Sequence, residues 1–311
     1  MLHRKAARCH FRDRAAFPLR SAPARCYNLG RDQPPSARDG RPLSPRKKAS
    51  RAPNDPYAPI ADIYDFSYED FTEDVDFYEN LAQAVDGTIL ELGAGTGRVA
   101  IPLAEAGYEV VGIDTSATML AQARANLEAT KLPKGASVEL LDGDMTSFDL
   151  GRKFGLIVVA ANTLQHLLTT RDQRDCFERV RAHLDVGGMF AFSVRSPLSV
   201  DWDDDAHTPL LFEWARVDPD SGETVMKMVA GHAYPERQVR RWTYVYDRVA
   251  TDGQVRRSVF TTELRYSSQA ELTLLLQQCG FRVTHVYGDY DLSPVGHGDN
   301  LVFVARAEEP R

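Results

Sequence analysis

Between residues 72 and 194, segments whose apolar residues have helical spacing alternate with short runs of consecutive apolar residues. A run that opens at Thr72 and stops at Gly87 places its apolar residues at helical spacing, on one face. Short continuous apolar runs then predict strands, and amphipathic runs with helical spacing separate them. The predicted strands are Thr88–Leu92, Glu109–Ile113, Val138–Leu141, Gly155–Ala160 and Met189–Val194. Strands that alternate with helices indicate a parallel sheet covered on both faces, so the predicted fold class is α/β.

The C-terminal pattern predicts a reversal of the last strand. Ser268 and Glu271 form a capping box for a leucine-rich helix that stops at Gly280. Two strand-like runs follow, Phe281–Tyr287 and Leu301–Ala305, with no helix between them. Two strands that are joined by a loop alone pair in opposite directions. We therefore expect this final pair to be antiparallel.

Residues 198–266 interrupt the α/β pattern with a β-rich region. Clusters of turn residues separate the runs, which predicts an antiparallel sheet inserted into one domain that spans residues 54–311. The predicted strands of this insertion are Leu210–Val217, Thr224–Ala233, Val239–Val249 and Val255–Tyr266.

The charge of the chain divides it into two unlike parts. Residues 1–50 carry 13 Lys and Arg against 3 Asp and Glu, with six prolines and no apolar period. Such a composition cannot offset its ordering entropy by burial, so we predict that residues 1–53 are a disordered basic arm. Three hypotheses for the arm stay open: a targeting peptide, a tail for an anionic partner, or a leader without a role.

A truncated protein that begins at Asn54 tests whether the arm matters for the folded domain. We expect it to keep the melting temperature and the cofactor affinity of the full chain, because the motif for the ligand begins some forty residues after position 50. Differential scanning calorimetry and titration calorimetry on both proteins check this. A large fall in either quantity would show that the arm stabilises the domain.

Beyond residue 50 the chain holds 24 basic and 41 acidic residues, a net charge of −17. A negatively charged domain repels the negatively charged phosphate backbone, so a nucleic-acid substrate is not expected. The four cysteines are widely spaced, which argues against a zinc site or a disulfide framework and favours a reducing, cytoplasmic location. The longest apolar run near the middle of the chain is far shorter than the roughly 18 residues of a membrane span. We expect neither a metal nor a membrane partner.

A glycine-rich turn after the first predicted strand carries the candidate chemistry. Glycines there let the backbone approach a ligand closely, and the N-terminus of the next helix adds free N–H groups. A nicotinamide fingerprint would place a third glycine at position 98, where Arg98 stands. Asp114, at the end of the second strand, lies 21 residues after Gly93, where a carboxylate can accept both hydroxyls of a ribose. These features indicate an adenosine-type ligand.

The segment ILELGAGTGRVAIPLAEAGYEVVGIDTSATML closely resembles the class I S-adenosylmethionine-dependent methyltransferases, whose E-x-G-x-G-x-G loop it matches. The resemblance extends over residues 57 to 308, and it implies a Rossmann-like sheet with a reversed last strand and S-adenosylmethionine as the cofactor. The cofactor-binding residues that it implies are Tyr57, Glu91, Gly93, Ala94, Gly95, Gly97, Asp114, Thr115, Met119, Asp144, Met145 and Asn162.

The absence of two motifs from the sequence limits the classes of molecule that could accept the methyl group. The fourth strand is followed by Ala161-Asn162-Thr163, without the family's D/N/S-P-P-aromatic motif for amino groups of DNA bases and without a cysteine for cytosine chemistry. A small-molecule acceptor, methylated on nitrogen or oxygen, therefore fits best. His166 is the candidate base because its ordinary pKa lies near 6.5, which predicts loss of activity below that pH, and Tyr64 is a second candidate catalytic residue.

The inserted sheet has two competing interpretations. It could form a lid or a wall for the acceptor, as insertions do in similar small-molecule methyltransferases, or it could be a homodimer interface or a second small core. Its candidate aromatic residues are Trp202, Phe212, Trp214, Trp242, Tyr244 and Tyr246. A protein that binds the cofactor without catalysis, and less favourably a nicotinamide-dependent oxidoreductase, are the alternative functions.

Overall fold

The computed structural model describes residues 55–197 and 207–308. The predicted arm, Trp202 and the run Asp203-Asp204-Asp205, for which the sequence predicts a solvated loop, lie outside the described residues. The helices are α1 (Tyr64–Ser67), α2 (Glu73–Ala82), α3 (Ala100–Glu105), α4 (Ala117–Ala129), α5 (Thr170–His183) and α6 (Gln269–Gln278). The strands are β1 (Ile89–Leu92), β2 (Glu109–Asp114), β3 (Ser137–Asp142), β4 (Phe154–Val159), β5 (Leu184–Arg195), β6 (His207–Val217), β7 (Thr224–Tyr234), β8 (Val239–Val249), β9 (Val255–Arg265), β10 (Phe281–Tyr287) and β11 (Asn300–Ala307).

Seven strands form one twisted sheet in the order β10-β11-β5-β4-β1-β2-β3. The pairs among β1 to β5 are parallel, and β11 runs antiparallel to both β5 and β10. The predicted α/β fold with a reversed last strand is therefore confirmed. The change of direction in strand order at β1 and β4 opens a crevice at the carboxyl ends of these strands, where parallel sheets bind ligands.

Helices cover both faces of this sheet because its central strands are apolar on both sides. Every residue of β1 and of β4 is buried, including Glu91. One face packs on α5 and α6 through residues such as Phe177 and Leu276, and the other packs on α2 and α3 through Tyr78 and Leu103. Burial on both faces fixes the register of the strands, and with it the positions of the loops at their carboxyl ends.

The insertion folds as predicted into a four-stranded antiparallel sheet in the order β6-β7-β8-β9. Its strands of 11 residues are twice the usual length, and β7 and β8 pair without a register shift from Thr224 opposite Val249 to Tyr234 opposite Val239. One part of its surface packs in a small core with Ile60 and Ile63 of the N-terminal segment.

Three local details differ from the sequence-based prediction. Strand β5 begins at Leu184 rather than Met189, because an irregularity lets Leu184 pair with Phe154 before the ladder resumes at Met189 opposite Leu156. The short helix α1 was not predicted. A 3₁₀ helix, Thr163–His166, was also not predicted, although it positions the loop after β4.

The caps of two helices follow the sequence signals. The hydroxyl of Ser116 accepts the N–H of Met119 at the start of α4, and that of Ser268 accepts the N–H of Glu271 at the start of α6. In a capping box the Glu271 carboxylate would accept the backbone N–H of Ser268. Here it accepts hydrogen bonds from the side chains of Arg265 and Gln238 instead. Among the helices of residues 55–197 and 207–308, none is long and apolar enough to cross a membrane.

Candidate active site

The glycine loop joins β1 to α3 with backbone conformations that side chains disfavour. Gly93 has φ of +75° and Gly95 has φ of +56°. A Cβ atom on Gly93 would overlap Cγ2 of Thr163, so only glycine lets the loop after β1 contact the loop after β4. Met119 of α4 closes the other side of the loop, since its Cε lies 3.5 Å from where a Cβ of Gly95 would be.

Asp114 connects the end of β2 to the glycine loop. Its Oδ2 accepts the N–H of Gly95 at 2.8 Å, and its Oδ1 accepts the N–H of Ser116 at 2.8 Å. Burial raises the pKa of the Asp114 carboxyl, although these two N–H groups oppose the rise. The carboxylate is thus fixed beside the loop, in the position where the sequence predicts an acceptor for ribose hydroxyls.

Glu91 is a buried carboxyl directly before the loop, and 2% of the residue is exposed. Its Oε2 has no hydrogen-bond partner. Burial, the largest cause, raises the pKa of Glu91 to about 8, while the charge of Arg98 opposes the rise. Arg98 itself is paired with the fully buried Asp74, to which it donates from both terminal nitrogens, with Nη1 2.9 Å from Oδ1.

The remaining predicted cofactor residues lie at the same edge of the sheet. Gly143 donates its N–H to the backbone oxygen of Asp114, which brings the loop after β3 next to the end of β2. Asp144 is exposed and accepts from the N–H and the hydroxyl of Thr146, both at 2.8 Å, so it also stabilises its own turn. The other members of this group are Ala94, Gly97, Thr115 and Met145, of which Thr115 is exposed.

The aromatic segment, residues 55–68, lies across this edge. Asp55 accepts the hydroxyl of Ser116 at 2.6 Å, and Asp65 accepts from the Thr96 hydroxyl and from the Asn126 amide at 2.7 Å. The segment is therefore tied to the glycine loop and to α4. Sequence reasoning missed both aspartates, although their place in a stretch of alternating acids and aromatics was a visible signal.

Tyr57 and His166 meet at the centre of the site. The Tyr57 hydroxyl lies 2.8 Å from Nε2 of His166, and Nδ1 of the ring lies 3.4 Å from the Thr262 hydroxyl on β9. Burial lowers the pKa of His166 to about 4. The expectation that activity falls below about pH 6.5 through this ring is therefore wrong, because the imidazole stays neutral well below that pH.

A cavity of about 530 Å³ lies beside this pair. Its walls come from the aromatic segment, from the loop after β4 with Asn162, and from the inserted sheet. Four of the six aromatic residues predicted for the insertion line it, whereas Trp214 packs against Phe66, with ring centroids 6.1 Å apart. The aromatic lining consists of Tyr57, Tyr64, Tyr68, Phe212, Trp242, Tyr244, Tyr246 and Phe260.

Besides its tyrosines and His166, the cavity is lined by four charged or titratable residues, Arg195, His207, Glu213 and Lys227. Glu213 and Lys227 form an ion pair of 2.7 Å, with the ammonium 5.1 Å from the centre of the Tyr244 ring. Burial is the main cause that raises the pKa of Tyr57 and of Tyr64 well above the ordinary value, so both phenols are neutral at physiological pH. Tyr64 lines the cavity as predicted for a catalytic candidate, but as a phenol and not as a base.

The loop after β4 holds an unusual conformation where it borders the cavity. Ala161 and Asn162 both have positive φ, 48° and 62°, which costs energy in residues other than glycine. The buried Oδ1 of Asn162 has no hydrogen-bond partner, and its N–H donates to the Ser193 hydroxyl at 3.2 Å. Strain and an unused acceptor at a cavity wall are typical of a ligand site.

These features fit S-adenosylmethionine. The glycine loop offers a close backbone approach, Asp114 offers a fixed carboxylate, and Glu91 and Asn162 each leave a buried oxygen without a partner. The ligand would bind between the carboxyl ends of β1, β2 and β4, with the acceptor cavity on the side of Asn162.

Comparison with known proteins agrees with this geometry. A family model described as a methyltransferase domain matches residues 89–188. The CcbJ methyltransferase of Streptomyces caelestis is 30% identical, with a TM-score of 0.67, and the match covers 82% of this chain and 98% of that one. The sugar N-methyltransferase KedS8 of Streptoalloteichus sp. shares the fold at 19% identity, with a TM-score of 0.63 and coverage of 87% and 100%.

Two relatives from sequence comparison match over different lengths. The cypemycin N-terminal methyltransferase of Streptomyces sp. is 26% identical over 213 residues, which are 68% of this chain and 79% of that protein. A relative from Geobacillus sp. (strain WCH70) is 33% identical over 113 residues, and the match spans 36% of this chain and less than half, 44%, of that protein.

Proposed function

The chain belongs to the class I S-adenosylmethionine-dependent methyltransferases, and from this premise we propose that it methylates a nitrogen or oxygen atom, preferably an amine nitrogen, of a small-molecule acceptor. The observation that carries the proposal is the aromatic cavity of about 530 Å³ beside Asn162 and His166. Its volume is in the range of sites for small molecules. KedS8, which shares the fold, is a sugar N-methyltransferase, and this supports nitrogen.

The residues of the chain contribute alignment and the exclusion of water. S-adenosylmethionine supplies a methyl group on a sulfonium, which is already a good leaving group. Asp114 and the glycine loop would hold the adenosine part, and the aromatic walls would orient the acceptor and keep water from competing with it. Such alignment of two reactants contributes up to about 7–11 kcal/mol.

The choice of nitrogen rests on the weakness of His166 as a base and on the neutral phenols beside it. An alcohol must lose a proton during attack, whereas an amine needs only to be neutral. His166, with a pKa of about 4, is a weak base, the phenols of Tyr57 and Tyr64 are neutral, and Glu213 is paired with Lys227. An aromatic cavity also disfavours an ammonium relative to the neutral amine by desolvation, although cation–π contacts oppose this effect. Together these groups support an acceptor that arrives with a free lone pair.

Incubation with methyl-labelled S-adenosylmethionine tests the proposal. The acceptors are pooled small amines, each accompanied by the alcohol that replaces its amino group by a hydroxyl. We expect labelled product and S-adenosylhomocysteine from the amines. Label in the alcohols alone would contradict the choice of nitrogen, and the absence of label from both pools, with cofactor binding intact, would contradict catalysis on small molecules of these classes.

The substitution His166→Ala is expected to lower turnover about 100-fold, the lower limit for general acid–base groups, because a ring with a depressed pKa is a weak proton acceptor. Cofactor affinity should change only a few-fold. Protonation of the His166 ring should therefore cause no loss of activity until about pH 4 to 5, and a fall in activity at higher pH should follow the protonation of the amine acceptor.

Stability provides the control for His166. A histidine whose pKa is lowered on folding leaves the unfolding free energy unchanged above pH 6.5. It destabilises the native state as the pH falls from about 6.5 to 4, because the unfolded chain binds the proton first. The His166→Ala variant should lack this part of the pH dependence of unfolding. Thr262→Val, which removes only the partner of Nδ1, should retain it. Unchanged turnover per folded molecule in His166→Ala would remove the ring from the mechanism.

A further inference from the structure

Glu91 lies in a part of the sheet that supplies almost no polar partners. Its neighbours in the ladder are Gly112 of β2 and Val158 of β4, and its side chain is on the face that packs against α2 and α3. The N–H of Ala100, in α3, bonds to one carboxyl oxygen. The other oxygen, Oε2, is buried and has no hydrogen-bond partner.

The charged groups around Glu91 do not provide a counterion of its own. From the loop before α3, the charge of Arg98 acts on Glu91, but both terminal nitrogens of Arg98 donate to Asp74 of α2. From β2, Asp114 adds a second negative charge. If all three carboxyls were ionised, this buried cluster would carry a net charge of −2. A carboxyl in such surroundings keeps its proton, because burial and like charges both disfavour the anion.

We propose that Glu91 holds a proton in the cofactor-free protein and releases it when S-adenosylmethionine binds to the adjoining glycine loop. The proposal rests on cofactor binding and is independent of the acceptor. It makes Glu91 a proton-binding site coupled to the cofactor site, and it explains why a carboxyl is buried at the end of a strand that is otherwise apolar.

The direction of the coupling follows from the charge of the ligand. S-adenosylmethionine carries a sulfonium, an ammonium and one carboxylate, which sum to a net positive charge. A cation that binds beside a buried acid lowers the pKa of the acid. The pKa of Glu91 starts at about 8, so a fall of more than one unit moves its titration through neutral pH. Because the cofactor binds preferentially to the deprotonated form, its affinity should rise with pH up to about 8.

Titration calorimetry with S-adenosylmethionine at pH 7.5, in buffers of different ionisation enthalpy, counts the protons released. We expect the native protein to release roughly 0.5–0.8 proton more than Glu91→Gln, which keeps the shape of the side chain and cannot titrate. Taking this difference cancels the titration of the cofactor's own amino group. Glu105→Gln, an exposed position on α3, is the matched control and should behave as the native protein does.

A second measurement needs no variant. The infrared difference spectrum of the native protein, with and without S-adenosylmethionine, should show loss of the carbonyl band of a protonated carboxyl and gain of a carboxylate band. Equal proton release in the native protein and Glu91→Gln, or no loss of the protonated band in the native protein, would overturn the proposal. Methylation of a small molecule could still occur in that case, so the two proposals fail separately.

Discussion

The substitution Arg265→Ala is expected to lower the unfolding free energy by about 3–5 kcal/mol, because it removes a buried charge on which several groups depend. The guanidinium donates to Gln173 at 3.0 Å, to Gln238 at 2.8 Å and to Glu271 at 2.6 Å. Further donations reach the hydroxyls of Ser267 and Thr170. Gln173 lies in α5, Glu271 lies in α6, and Gln238 lies in the connection between β7 and β8. Arg265, the last residue of β9, therefore joins the inserted sheet to the α/β domain.

Thermal and denaturant unfolding measure this loss, which corresponds to a fall of roughly 10 °C in melting temperature. Arg256→Ala is the matched control, since this arginine forms an ion pair with Glu223 but its side chain is 66% exposed. Exposed ion pairs contribute at most about 1 kcal/mol. Equal losses in the two variants would show that the network around Arg265 does not join the two sheets energetically.

The substitution Asp114→Asn is expected to weaken S-adenosylmethionine binding by about 3 kcal/mol or more, over 100-fold. The carboxylate accepts the N–H groups of Gly95 and Ser116, so its charge orders the glycine loop in addition to meeting the ribose. Hydrogen bonds to charged groups are each worth about 1.5–3 kcal/mol. The asparagine side chain has one oxygen and cannot accept both N–H groups, so the hydrogen bond to either Gly95 or Ser116 is lost.

Titration calorimetry measures this effect, and native affinity should be in the micromolar range, on the order of −8 kcal/mol. Asp142→Asn is a close control, because Asp142 stands directly opposite Asp114 in the β2–β3 ladder and is exposed. It should bind the cofactor within a few-fold of the native protein. A loss in Asp114→Asn no larger than in Asp142→Asn would mean that Asp114 does not contact the cofactor.

Most of the cofactor site was predictable because local sequence dictates it. A strand, a turn that only glycine can form and a helix follow one another within residues 89–105, so the conformation of Gly93 and its neighbours depends on residues beside them in the chain. The same holds for the caps at Ser116 and Ser268, which need only a hydroxyl and a nearby N–H.

The acceptor cavity was less predictable because distant segments build it. The sequence identified aromatic residues in the insertion, but not that Tyr57 would reach the ring of His166, 109 positions away, or that Thr262 would approach it from β9. The pKa of His166 also depended on this burial, and its ordinary value misled the prediction of pH dependence.

The sequence by itself therefore determined the order of strands and helices, the reversed final strand and the glycine loop with Asp114, since periodicity and turn chemistry act over short distances. Only the tertiary structure decided which groups are buried together. In the folded chain Arg98 pairs with Asp74, so Glu91 has no counterion of its own, and burial keeps His166 neutral. Protonation and pairing of this kind depend on the low polarity of a packed interior, which forms only when remote segments meet.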